Sequence, residues 1–113
     1  MPAPHLSQSV RAGNLVFTSG QLAFENSQIK GDIGVQTRAA IENLRSVLAC
    51  NGLDLGAIIK TTVWLTWAAD FQLFDEVYAE MFGEHKPARS TTICELAIPE
   101  ALVEIEAIAM CPV

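Results

Sequence analysis

The run from Ala57 to Thr66, AIIKTTVWLT, constrains the fold of this chain more than any other segment. Its Ile, Val, Thr and Trp residues favour a strand, and its apolar residues fall on both parities instead of alternating with polar ones. Such a strand is covered on both faces. The rest of the chain must supply the covers, and only two segments read as helices. From about Val35 to Cys50, Ile41, Leu44, Val47 and Leu48 recur at helical spacing, and Asn51-Gly52 is a left-handed stop. Asp70 then caps a second helix in which Phe71, Phe74, Val77, Tyr78, Met81 and Phe82 form one apolar stripe ending at Gly83. Asp75, Glu76 and Glu80 fall on its other side.

The remaining strands flank these elements. Val10 to Asn14 and Leu15 to Ser19 form a hairpin about Ala12-Gly13-Asn14. Arg89 to Leu96 and Val103 to Met110 are separated by Ala97-Ile98-Pro99-Glu100. The order predicts an α+β fold, two helices on one face of a mixed sheet, in a single domain spanning residues 1–113. Two helices cover one face, so the other is expected to meet a second copy of the chain. Half the residues are hydrophobic and only 18% are charged, more apolar than a small monomer needs.

Charge and spacing exclude several functions. A formal net charge of −6 with seven Lys and Arg disfavours a phosphate-tracking surface, so nucleic acid is not an expected partner. No apolar run approaches the about 18 residues of a membrane helix. Cys50, Cys94 and Cys111 are odd in number and widely spaced, with no CxxC and no secretory signal, which predicts reduced thiols in a cytoplasm. Cys50 and Cys94 read as core residues. His5 and His85 lie far apart, and no metal-ligand spacing is present.

Two ionisable residues stand out. Pro87 holds Lys86 extended and presents Arg89 at a strand entrance, where a guanidinium fork suits a carboxylate. An isolated Arg in an acidic protein is more commonly a surface ion pair, and spacing alone leaves both readings open. Glu104 and Glu106 share parity, opposite Val103, Ile105, Ala107 and Ala109. Their face is either solvated or, since it continues with Ile108 and Met110, an interface where a carboxylate needs a cationic partner such as Arg89. Thr18-Ser19-Gly20-Gln21 places a hydroxyl and a glycine at a strand end without any phosphate-loop pattern.

Taken together, several stretches resemble the Rid family, the YjgF-like enamine/imine deaminases. They are Gly13 to Gln21, Gln36 to Gly52, Lys60-Thr61-Thr62-Val63-Trp64-Leu65, Phe71 to Phe82, Pro87-Ala88-Arg89-Ser90 and Val103 to Ala109. The resemblance implies a chorismate-mutase-like fold, a homotrimer packed sheet to sheet, and active clefts between subunits. It also implies hydrolysis of reactive enamine and imine acids to 2-keto acids and ammonia with neither cofactor nor metal. In that scheme Arg89 holds the substrate carboxylate, Glu104 positions or activates water, and Ser19, Gly20 and Thr91 line the cleft. Leu6, Asp75 and Thr91 stand where tyrosine, asparagine and cysteine are common in the family. Two alternatives accompany the deaminase reading: a non-catalytic module that binds a small carboxylic acid, and a ribonuclease or translation inhibitor.

Overall fold

A computed structural model of the protein describes residues 4–112. Strands β1 (Ser9–Ala12) and β2 (Leu15–Thr18) form a hairpin whose turn needs the left-handed φ of +62° at Gly13. Helix α1 (Ile33–Ala49) precedes β3 (Ile58–Leu65), and helix α2 (Phe71–Phe82) precedes β4 (Ala88–Ile93) and β5 (Val103–Met110). The sheet order is β1-β2-β5-β3-β4, antiparallel throughout except for the β3–β4 pair. The link between those two strands contains α2, as a parallel crossover requires.

Both helices lie on one face of the sheet. There Val16 of β2, Thr61, Val63 and Leu65 of β3, and Val103, Ile105, Ala107 and Ala109 of β5 are buried with Ile41, Leu44 and Leu48 of α1 and Phe74 and Tyr78 of α2. Each large apolar side chain so buried stabilises the fold by about 1.5–3 kcal/mol. Two polar contacts fall in this layer: Thr61 Oγ1 and the Tyr78 hydroxyl lie 2.8 Å apart, and Thr18 Oγ1 accepts from Ala107 N at 3.0 Å. Gln36 ties α1 to the segment before β5, donating to the Glu100 carbonyl at 3.3 Å and accepting from Leu102 N at 2.9 Å.

Several sequence expectations need adjustment. Helix α1 starts at Ile33, two residues before Val35, because the Asp32 carboxylate accepts from Val35 N at 3.0 Å and caps it there. Asp70 stands before α2 but its side chain makes no capping bond; residues Ala68–Asp70 form a 3₁₀ turn that leads into the helix. Strand β4 ends at Ile93, after which Cys94 N donates to the Leu65 carbonyl and the chain leaves the sheet. The chain buries only one face of β3. Lys60, Thr62 and Trp64 on the other face are half-buried, and here no adjustment is needed, since that face was expected to lack a cover from this chain. Cys50 and Cys94 are exposed and Cys111 is the buried thiol. No helix among the described residues is long and apolar enough to cross a membrane.

Candidate functional site

Arg89 enters the sheet opposite Thr61, and that register turns its side chain towards the helices. There the guanidinium carbon lies 5.5, 5.4 and 4.8 Å from the ring centroids of Phe71, Phe74 and Tyr78. Three rings around one cation stabilise its charge and restrict its rotamers. Nη1 donates to Asp75 Oδ1 at 2.8 Å, the only side-chain hydrogen bond of Arg89 among the described residues. The guanidinium is therefore braced, yet most of its N–H groups remain available. Burial pushes the Tyr78 phenol up, only partly offset by its bond to Thr61 and by Arg89, so it stays neutral beside the cation. Thr91 shares the parity of Arg89, opposite Val63, and is half-buried. A cavity of about 440 Å³ opens beside the pair, lined by Asp75, Tyr78, Phe82, His85, Lys86 and Arg89.

Glu104 belongs to the other face. It pairs with Trp64 of β3 and is half-buried. Its neighbour is the chain just beyond β2, where Gln21 and Ile105 exchange backbone hydrogen bonds of 2.7 and 3.0 Å and draw Gly20 against the carboxylate. A Cβ at Gly20 would overlap Glu104 Oε2 and lie 2.8 Å from Cδ, so the glycine makes room for the acid. Ser19 is fixed alongside, its N–H on the Gln8 carbonyl at 2.9 Å and its hydroxyl donating to the Ser7 carbonyl. Desolvation, and after it the charge of Glu106, raises the Glu104 pKa above the usual carboxylate value. A carboxyl so raised holds and releases a proton closer to neutral pH.

The predicted residues thus form two groups. Ser19, Gly20 and Glu104 lie together, as do Arg89 and Thr91, but a single chain does not bring Arg89 to Glu104. Arg89 is in register with Thr61 and, through it, with Ala107 of the helix face, whereas Glu104 is in register with Trp64 on the opposite face. Asp75 is a site residue that helical patterning missed. It is set among Phe71, Phe74 and Tyr78 in sequence, which places it at the margin of the stripe rather than behind it. Among the described residues no cluster of His, Cys, Asp and Glu has the makings of a metal site.

Known proteins resemble this chain in sequence and fold. The family described as Endoribonuclease L-PSP matches residues 1–111. A RutC family protein of Pyrococcus horikoshii is 42% identical over 111 residues, covering 96% of this chain and 88% of that protein. TdcF of Escherichia coli, provisionally named a reactive intermediate deaminase, is 38% identical over 108 residues, covering 91% of this chain and 84% of its own. The crystal structure of TdcF with bound serine superposes with a TM-score of 0.88 at 36% identity, covering 99% of this chain and 91% of that one. The YjgF gene product of Escherichia coli superposes with a TM-score of 0.87 at 33% identity over 93% of this chain and 87% of its own.

Proposed function

This chain belongs to the Rid, YjgF-like family that also carries the description endoribonuclease L-PSP, and from that premise we propose that it hydrolyses reactive enamine and imine carboxylic acids to 2-keto acids and ammonia, without a cofactor. The observation that carries this reading is Arg89: a guanidinium braced by three aromatic rings, with its side chain 21% exposed and most of its donors unused. Such a group suits a small carboxylate better than a mobile surface Arg does.

In the proposed reaction the substrate carboxylate rests on Arg89. Water attacks the imine carbon while Glu104 accepts its proton, and the same carboxyl returns the proton to nitrogen as the C–N bond breaks. The balance is iminium acid plus water to 2-keto acid plus ammonium. The iminium carbon is already electrophilic, so orientation and one proton relay suffice. Because Arg89 and Glu104 lie on opposite faces of one chain, the reading requires a cleft where the Arg89 side of one subunit meets the Glu104 face of another. We propose that a homotrimer supplies it, packed through the sheet face that carries the half-buried Lys60, Thr62, Trp64 and Ile108 and the exposed Met110.

The test is ammonia release from imino acids generated in situ by an amino-acid oxidase. The protein should accelerate release, and Arg89→Ala should lower the acceleration by at least ~100-fold, the scale of losing substrate positioning. Saturable carboxylate binding with no acceleration would identify a binding module instead. RNA cleavage that persists in Arg89→Ala and Glu104→Gln would favour the ribonuclease description, against which the net charge of −6 weighs.

A further inference from the structure

Asp75 changes what the Arg89 group can recognise. Its Oδ1 accepts from Arg89 Nη1 at 2.8 Å, and its side chain is 48% exposed against 21% for Arg89, so the acid stands nearer solvent than the base it neutralises. The pair borders the cavity of about 440 Å³, whose only other charged side chain, Lys86, is solvent-exposed and screened. A ligand arriving there meets an oriented cation–anion pair instead of a bare positive charge.

We infer that Asp75 is a specificity residue: together with Arg89 it selects ligands in which a cationic nitrogen is bonded to the carbon next to the carboxylate, and discriminates against ligands bearing a carboxylate alone. The inference rests on Arg89 being the carboxylate anchor of the proposed function. A carboxylate has about four lone-pair positions, and the bond to Nη1 uses one, so Asp75 retains acceptors for an N–H of the ligand. Arg89 retains donors for the ligand carboxylate. An iminium acid laid across the two residues alternates charge around a closed ring of four groups, with each charged group beside its opposite. Hydrolysis removes the nitrogen as ammonium and leaves a 2-keto acid, whose single negative charge then faces Asp75 unpaired. The same carboxylate that favours substrate therefore disfavours product and promotes its departure.

Stable analogues separate the two ligand classes without turnover. Titration calorimetry on the intact protein would use 2-aminobutyrate for the zwitterion and 2-oxobutyrate for the lone carboxylate. The wild type should bind the zwitterion about 10-fold more tightly, since a charge-assisted hydrogen bond contributes on that scale. Asp75→Asn should move the two affinities in opposite directions, weakening the zwitterion about 10-fold and tightening the keto acid several-fold. Asp75→Glu should keep the wild-type order, and Arg89→Ala should remove binding of both. A wild type that binds the two equally or binds neither, an Asp75→Asn variant that shifts both affinities the same way, or binding that survives Arg89→Ala each overturns the inference. A wild type with the expected order but no ammonia release supports this role for Asp75 while overturning the hydrolytic function.

Discussion

At Glu104, burial and the nearby Glu106 both act against the ionised carboxylate, so the folded protein binds that proton more tightly than the unfolded chain does. With the folded pKa raised, there is no penalty below the unfolded carboxylate value, where both states are protonated. The penalty grows as pH rises from the unfolded value to the raised folded value and is constant above it. Glu104→Gln should therefore raise the melting temperature at pH 7, the gain should shrink as pH falls through the raised folded value and vanish below the ordinary carboxylate range, and deaminase turnover should be lost; thermal melts across pH with parallel ammonia assays check this. A variant less stable than wild type at pH 7 would show that Glu104 is a supported ion, not a strained one. At this scale the strand positions of Arg89 and Glu104 were legible because charged residues are conspicuous in an apolar chain, while the roles proposed for them came from the family resemblance and not from spacing. The role of Asp75 was not, because helical periodicity sorts residues by face and is blind to a partner arriving from β4. The placement of Cys50 and Cys94 was misread because an apolar residue type does not fix burial: Cys50 follows the last buried turn of α1, and Cys94 follows Ile93 at the exposed end of β4.

Among the elements, α2 links fold to site. Phe74 is fully buried in the core beneath the sheet and also presents its ring to Arg89 at 5.4 Å. Phe74→Ala should destabilise the protein by about 3–5 kcal/mol in urea unfolding, as an emptied aromatic site in a packed core does. A loss under about 1 kcal/mol would mean the helix is not anchored through this ring. Helix existence was clear from the sequence because four or more apolar residues repeat at helical spacing in each. Element ends were less clear. The start of α1 depends on the Asp32 carboxylate reaching Val35 N, and the end of β4 on where the chain loses its partner β3, although Leu96 continues the apolar run. The first is a local cap that apolar periodicity does not register, and the second is a tertiary outcome that local composition does not record.

For the whole molecule, the two-sided apolar character of β3 pointed beyond a single chain, and among the described residues no helix covers the second sheet face. On it Phe17 and Met110 remain 41% and 42% exposed, and Val10 is 57% exposed. Sequence could not show that this same division separates Arg89 from Glu104, since face assignment across three strands depends on register. The central claim is that each active cleft takes Arg89 from one subunit and Glu104 from the next. Mixing tests it most directly: Arg89→Ala and Glu104→Gln proteins, each inactive alone, are unfolded together, refolded at equal ratio and assayed for ammonia release. If the residues come from different subunits, random assembly leaves roughly a quarter of the clefts with both intact, and activity should recover to that fraction of wild type. Mixtures that assemble but stay inactive, beside an active wild type treated identically, would contradict the claim.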